Sequence, residues 1–169
     1  YFNKVQKNKE KSIIGLRINP CIGVLGKHKE LSVSTSTSKF GIPLNIYKNE
    51  IIQAYKDHSF LTMIHVHVGS QSESLALNIT AIKKIVDLTN EINTIIKEKS
   101  PQQQQIDTID IGGGLPVDFQ SDSIQTTYTE YVKALKLSCP DLFTSKYQVI
   151  TEMGRYVTAK AGMLLSKVE

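Results

Sequence analysis

Residues 61–71 read LTMIHVHVGSQ, an apolar run that carries two histidines and ends in glycine, serine and glutamine. Its length and its β-branched residues predict a buried strand over residues 61–68. Three further segments have the same character: residues 13–18, 106–111 and 147–151. All four are apolar nearly throughout, which is typical of strands that are covered on both faces.

Helical patterns separate the four strand segments, over residues 43–55, 75–96 and 124–135. The clearest is a stripe of apolar residues at helical spacing, formed by Leu75, Ile79, Ile82, Ile85, Val86, Ile92, Ile95 and Ile96. Ser72 or Ser74 is the expected cap at the start of this helix. Strands that alternate with helices predict an α/β fold with a parallel sheet, either doubly wound or a (β/α)8 barrel. A whole barrel takes about 250 residues, so this chain could form about half of one.

The composition is that of a globular protein. Of 169 residues, 40% are hydrophobic and 21% are charged, and the formal net charge of +4 is spread without a lysine or arginine block. We therefore expect no nucleic-acid partner, and no membrane span, since no apolar stretch approaches the roughly 20 residues that cross a bilayer. Two cysteines, Cys21 and Cys139, are too few for a disulfide framework, so a reducing cytoplasm is the default expectation. Because the chain begins with Tyr1 and not with methionine, we expect a shortened protein or a partial gene product.

Polar or glycine-rich residues follow each predicted strand. The four strand ends are residues 17–20 (RINP), 65–71 (HVHVGSQ), 110–114 (DIGGG) and 152–155 (EMGR). In parallel α/β folds the carboxyl ends of the strands lie on one rim, where the functional sites form. The sequence therefore predicts one site, built from all four ends.

Gly112, Gly113 and Gly114 directly follow a strand. Their backbone N–H groups suit an anion such as phosphate, because chain without side chains can wrap it closely, although a flexible turn has the same composition. Gly69 and Ser70 offer an N–H and a hydroxyl to the same anion, whereas a strand-end serine more often caps the next helix.

His65 and His67 alternate with valines, so both point to the same face of their strand. They suit a metal pair, a flat imidazole packed on an aromatic ring, or a hydrogen-bonded interior histidine. Since no third ligand has suitable spacing, we predict no metal site.

Glu152 and Arg155 flank Gly154. A buried carboxylate can hold a protonated ring nitrogen, and an arginine can bind phosphate or carboxylate with two hydrogen bonds. A mutual salt bridge is the plainer alternative. We interpret Arg17 as a structural ion-pair former, and Lys39 as a solvated loop lysine.

Five ordered motifs together resemble the alanine-racemase-type (fold III) pyridoxal-phosphate decarboxylases, which act on ornithine, diaminopimelate and arginine. The motifs are GLRINP (residues 15–20), SKFG (38–41), HVHVGSQ (65–71), DIGGG (110–114) and EMGR (152–155). The resemblance spans nearly the whole chain and is closest to diaminopimelate decarboxylase-like proteins, on the SKFGI and HxHxGSQ strings.

The resemblance implies a cofactor, pyridoxal 5'-phosphate, and a role for each matching residue. His67 would stack on the pyridine ring and Glu152 would pair with the ring nitrogen, as the two catalytic residues. The phosphate would be bound by Gly69, Ser70, Gly112, Gly113, Gly114 and Gly154, with Arg155 on the phosphate or on the distal group of the substrate.

The chain also departs from this family. Met153 stands where proline is usual, and neither the Schiff-base lysine, upstream in the family, nor the downstream cysteine–aspartate motif has a match here. We therefore expect residues 1–158 to be part of the barrel domain, and residues 159–169 to begin the connection to a C-terminal β-domain, with a possible new strand over 159–168. By itself the chain is expected to be inactive and poorly soluble.

For the full-length parent, the resemblance implies a homodimeric enzyme that decarboxylates meso-diaminopimelate to lysine. The alternatives are an ornithine or arginine decarboxylase of polyamine synthesis, an inactive regulatory homologue of the antizyme-inhibitor kind, and a generic phosphate-binding barrel.

Overall fold

The computed structural model describes residues 12–22, 38–69, 75–121, 126–163 and 165–167. The strands in these ranges are β1 (Ile14–Asn19), β2 (Ile42–Pro43), β3 (Leu61–His65), β4 (Thr108–Asp110) and β5 (Gln148–Ile150). The helices are α1 (Leu44–Asp57), α2 (Leu75–Lys99), α3 (Tyr128–Ser138) and α4 (Gly154–Thr158), with a 3₁₀ helix over Pro140–Phe143.

All five strands lie parallel in one sheet, in the order β2-β1-β3-β4-β5. The predicted alternation of strands and helices and the parallel α/β sheet are thus confirmed. The boundaries differ in places: β3 ends at His65 and not at Val68, and β2, only two residues long, was not predicted.

The helices bury one face of the sheet. Along β3 and beyond it, Ile64, Val66 and Val68 pack into the main core with the apolar stripe of α2. The predicted burial of whole strands holds for β4, in which every residue is buried, and is wrong for β5, whose residues are exposed or half-buried. The reason is that β5 comes last in the order of the sheet, so that only β4 pairs with it among the described residues.

The Tyr55 side chain bridges β1 and β3 where the register of their pairing shifts. The register of these strands shifts between Ile14 and Gly15, where a Cβ on Gly15 would collide with the backbone of Met63. The buried Tyr55 hydroxyl of α1 donates to Met63 O at 2.7 Å and accepts from Leu16 N at 3.3 Å. One side chain therefore joins α1 to both strands at the point where the ladder is interrupted.

Side chains cap the start of α3. α3 begins with a capping box in which the Thr127 and Glu130 side chains and backbone amides bond each other. The expected caps of α2, Ser72 and Ser74, lie outside the described residues. None of the described helices is long and apolar enough to span a membrane.

The described residues after α4 do not form the expected strand. Residues 159–163 and 165–167 form no strand; a turn follows α4 at residues 159–160. The weak alternation in this segment is too slight to specify a strand without a neighbour to pair with.

Candidate functional site

The strand ends meet on one rim of the sheet, as predicted. Arg17 of β1 is in register with His65 of β3, His65 with Asp110 of β4, and Asp110 with Ile150 of β5. Glu152 follows β5 by two residues, and its backbone N–H donates to Gly112 O at 2.9 Å. Parallel pairing thus brings side chains from four distant parts of the chain to one place.

Both histidines approach the carboxylate of Glu152, which confirms that they share a face. His65 Nε2 lies 3.7 Å from Glu152 Oε2, and His67 Nδ1 lies 3.4 Å from the same oxygen. The side chain of Glu152 is 46% exposed, whereas those of the histidines are largely buried. The carboxylate therefore stands between imidazoles on one side and open space on the other.

The tautomer of His67 is set by the glycine loop. The backbone N–H of Gly113 donates to His67 Nδ1 at 3.2 Å, and the same nitrogen lies 3.4 Å from Glu152 Oε2. When Nδ1 accepts from Gly113, it carries no proton and does not donate to the carboxylate. Burial lowers the pKa of His67, and the positive charge of Arg17 lowers it further, although Glu152 acts in the opposite direction. His67 is therefore a neutral imidazole with its proton on Nε2.

More of the backbone N–H groups in the glycine loop are already hydrogen-bonded than the sequence predicted. The N–H of Gly112 donates to Asp110 Oδ1 at 2.9 Å, and that of Gly113 to His67. The N–H of Gly114 makes no hydrogen bond to the described residues. In this structure an anion thus meets one available amide and not a nest of three, because two strand-end side chains bind the others.

Close packing explains why the loop is glycine. A Cβ on Gly113 would collide with the carbonyl oxygen of Glu152, and one on Gly114 with that of Gly69. Gly114 also has a φ of +96°, which residues with side chains rarely adopt. Gly154, by contrast, has open space where its Cβ would be, so no steric contact here requires glycine.

Asp110 is a member of the site that the sequence analysis did not assign. It is buried, with 8% of its surface exposed, and burial raises the pKa of its carboxyl group. An aspartate two residues before a glycine is a signal for this kind of turn, in which the carboxylate accepts the glycine N–H.

An open pocket of about 430 Å³ lies beside Glu152. Its lining includes His67, Gly114, Glu152, Gly154, Arg155 and Tyr156. Arg155 is exposed, and no salt bridge joins it to Glu152, although the structure describes both, so the mutual ion pair is not seen. Met153 between them turns inward and joins the core. Ser70 lies outside the described residues.

Arg17 and Lys39 meet at an aromatic ring. The guanidinium carbon of Arg17 is 5.0 Å from the centre of the Phe40 ring, and Lys39 Nζ is 5.2 Å from it. Arg17 also donates to His67 O at 3.4 Å and forms no salt bridge with the described residues. The interpretation of Arg17 as an ion-pair former therefore stays a prediction; among the described residues, Arg17 connects the SKFG loop to the site.

Three groups of the rim lie close enough for one cation. Ligand atoms of His65, Asp110 and Glu152 are all within 4.8 Å of one another. Sequence spacing gave no third ligand for a histidine pair, because these residues come from three different strands. The structure groups His65 with two carboxylates and leaves His67 out, and the absence of a metal stays a prediction.

Comparison with known proteins places the chain in a family. Residues 1–159 match the model of the pyridoxal-dependent decarboxylase, pyridoxal binding domain. The diaminopimelate decarboxylase of Vibrio cholerae is 32% identical over 167 residues, which cover 94% of this chain and 36% of that protein.

Two solved structures share the fold. The diaminopimelate decarboxylase of Helicobacter pylori complexed with L-lysine matches with a TM-score of 0.65 at 24% identity, over 89% of this chain and 36% of that one. The arginine decarboxylase of Paramecium bursaria Chlorella virus matches with a TM-score of 0.61 at 22% identity, over 91% and 37%. The chain thus spans little more than a third of the proteins that it matches, within their barrel. It belongs to the family of the pyridoxal-dependent decarboxylase, pyridoxal binding domain.

Proposed function

We propose that the protein is a pyridoxal 5'-phosphate-dependent amino-acid decarboxylase, a carboxy-lyase. In it, residues 1–158 contribute to the cofactor-binding (β/α)8 barrel, and residues 159–169 lead toward a further domain. The proposal rests on one observation: the carboxylate of Glu152, the neutral imidazole of His67 and the guanidinium of Arg155 line a single pocket at the strand ends.

The residues of the pocket fit this cofactor. Pyridoxal phosphate has a flat ring, a ring nitrogen that takes up a proton, and a phosphate dianion. Glu152 complements the protonated nitrogen, and the imidazole of His67 offers a flat surface to the ring. The guanidinium of Arg155 and the amide of Gly114 complement the phosphate, to which Gly69, Ser70 and Gly154 are proposed to contribute.

Each residue then has a defined task. When bound, pyridoxal phosphate supplies an electron sink that lets the bond between Cα and the substrate carboxylate break, so that carbon dioxide leaves. Glu152 holds the proton on the ring nitrogen, because a nearby negative charge favours the protonated form. His67 is uncharged and so places no positive charge against that ring. Arg155 binds the phosphate or a distal carboxylate of the substrate.

The proposed substrate is meso-diaminopimelate, which loses one carboxylate as carbon dioxide and gives lysine. The support is the 32% identity to a protein named diaminopimelate decarboxylase. Arginine or ornithine is the second candidate, supported by the shared fold with an arginine decarboxylase.

The proposal also covers the setting of the enzyme. We expect a cytoplasmic homodimer that acts on a small amino acid and binds neither nucleic acid nor membrane. The support for a reducing compartment is that Cys21 and Cys139 are both free thiols.

The test is carbon dioxide release by the intact protein, supplied with pyridoxal phosphate and, in turn, diaminopimelate, ornithine, arginine and lysine. Release from one of them supports the proposal and identifies the substrate. Glu152→Gln should then lower the rate about 100-fold or more, because a neutral amide does not hold the proton on the ring nitrogen. Glu50→Gln, an exposed glutamate on α1, is the matched control and should leave the rate unchanged.

Two other outcomes are informative. Cofactor binding without carbon dioxide release from any of the four would point to another substrate or to a regulatory protein. Failure of the intact protein to bind pyridoxal phosphate would contradict the proposal.

A further inference from the structure

His65 has an unusual environment for a buried histidine. It is the last residue of β3, its side chain is 16% exposed, and its Nε2, although shielded from solvent, makes no hydrogen bond to the residues that the structure describes. A buried polar atom without a partner costs free energy, so such an atom is rare unless something else engages it.

Two carboxylates lie close to the His65 ring. Glu152 Oε2 is 3.7 Å from Nε2, and Asp110, the register partner of His65 on β4, has a carboxylate oxygen within 4.8 Å of a His65 ring nitrogen and of a Glu152 carboxylate oxygen. The position of Asp110 is fixed, because its Oδ1 accepts the Gly112 N–H. Glu152 is half exposed and can adjust.

The two carboxylates also repel each other. Burial raises the pKa of Asp110, and the charge of Glu152 raises it as well, whereas His65 acts in the opposite direction. An N–H that His65 donates to Glu152 reduces this repulsion. While His67 Nδ1 accepts from Gly113, it cannot serve as this donor.

We propose that His65 is a positioning residue that donates from Nε2 to Glu152 and keeps its carboxylate aimed at the ring nitrogen of the cofactor. The inference rests on the proposed function and extends it to a residue that is not part of the described pocket lining. The present 3.7 Å becomes a hydrogen bond with a movement of less than about 1 Å, and such contacts commonly tighten when a ligand binds.

The test separates this role from a general effect on folding. It compares the affinity of the intact protein for pyridoxal phosphate with that for its 1-deaza analogue, in which a carbon replaces the ring nitrogen. Equilibrium dialysis with detection by cofactor absorbance measures both without relying on enzyme activity. If His65 acts through Glu152, His65→Leu should weaken pyridoxal phosphate binding about tenfold or more, as expected for a hydrogen bond to a charged group, and leave analogue binding within about twofold.

Three variants complete the design. His65→Gln, whose amide nitrogen reaches the place of Nε2, should restore most of the preference for pyridoxal phosphate over the analogue. His58→Leu, an exposed histidine in the loop before β3, is the control and should change neither affinity. In a Glu152→Gln background, His65→Leu should have no further effect on the preference, since the charge that it serves is gone.

The outcomes distinguish the two proposals. Equal weakening of both ligands by His65→Leu, with wild-type protein binding normally, would overturn the role of His65 and leave the proposed function standing. Wild-type protein that binds neither ligand would overturn the proposed function itself. If the leucine variant does not fold, His65→Asn, whose amide is too short to reach Glu152, takes its place with the same expected loss of preference.

Discussion

Asn78 and Asn93 are two buried asparagines on α2 with opposite hydrogen-bonding environments. Neither the amide oxygen nor the nitrogen of Asn78 bonds any described residue; its side chain, 2% exposed, packs beside Val66, Val68 and Ile111. Asn93, in contrast, donates to Ile106 O and accepts from Ile106 N, both at 2.8 Å. One residue type on one helix thus carries a cost at one position and a stabilising contact at the other.

Leucine has the branched shape of asparagine without its polar atoms, so replacement tests this contrast. Asn78→Leu should raise the free energy of unfolding by about 1–2 kcal/mol, since it removes unsatisfied groups from the core. Asn93→Leu should lower it by about 2–4 kcal/mol, because two backbone groups of Ile106 lose their partners. The measurement is urea unfolding, in which the midpoint shifts at an unchanged slope. Changes of the same sign in both variants would contradict this account.

The protonation of His67 predicts a pH dependence. Its pKa in the folded protein is lowered by burial, so below an unfolded value of about 6.5 the unfolded chain binds more protons. Stability from this residue is therefore present above that pH and falls as the pH falls through the window below it. Asp110, whose pKa is raised, contributes a stability that falls as the pH rises above its unfolded pKa of 3.8. The effect of His67 is therefore measured as the difference in stability between the wild type and a variant.

The variant is His67→Gln, compared with wild type in urea unfolding between pH 7.5 and 5. The wild-type protein should lose stability relative to the variant as the pH falls, and ring ¹⁵N shifts should show the Nε2–H tautomer at neutral pH. His58→Gln is the control, since this histidine is exposed. A flat difference across the range would contradict the lowered pKa of His67, and the Nδ1–H tautomer would show that Gly113 does not bond the ring.

At the scale of elements, the carboxyl ends of β4 and β5 are packed backbone against backbone. The amide of Glu152 bonds Gly112 O, and the Gly113 Cα faces the carbonyl of Glu152 with no room for a side chain. This contact holds the glycine loop and the pocket residue Glu152 at a fixed separation.

Two alanine substitutions measure the value of that contact. Gly113→Ala should lower the free energy of unfolding by about 2 kcal/mol or more, because strand-end backbone must move to admit the methyl group. Gly154→Ala, at the start of α4, should be neutral or slightly stabilising, since its Cβ would meet open space and alanine favours a helix. Thermal unfolding of both variants is the check. Equal losses of stability would show that these positions require the conformational freedom of glycine and not its small size.

The sequence predicted most elements because their signals are long. The apolar stripe of α2 was assigned to residues 75–96 and the helix runs from Leu75 to Lys99. β2 has two residues and therefore no periodicity to detect, and its pairing with Ile18 and Asn19 exists only in the folded sheet. β3 ends at His65, three residues before the predicted end, although the N–H of Val66 still donates to Asp110 O at 2.9 Å.

At the scale of the molecule, parallel topology made the location of the site predictable. Once the strands were recognised, their carboxyl ends had to share a rim, and His65, His67 and Glu152 followed. The hydrogen bonds within the rim were not predictable, because they depend on registers such as His65 with Asp110. The hydrogen bond from the Gly113 amide to His67 depends on the same registers, whereas the bond from the Gly112 amide to Asp110 follows a local sequence signal.

The open edge of the sheet carries the last prediction. Within the part of the chain that the structure describes, β5 pairs with β4 alone, and its central Val149 is 36% exposed. An unpaired apolar edge is a template for another strand. We therefore expect the 169-residue chain, produced by itself, to self-associate in light scattering.

Val149→Lys should reduce this association, because a charge on the edge opposes strand pairing. Leu137 on α3 is more exposed, at 87%. If general apolar surface caused the association, Leu137→Lys would reduce it more than Val149→Lys does. We expect Leu137→Lys to reduce it less. A monodisperse wild-type monomer that melts cooperatively would contradict the prediction.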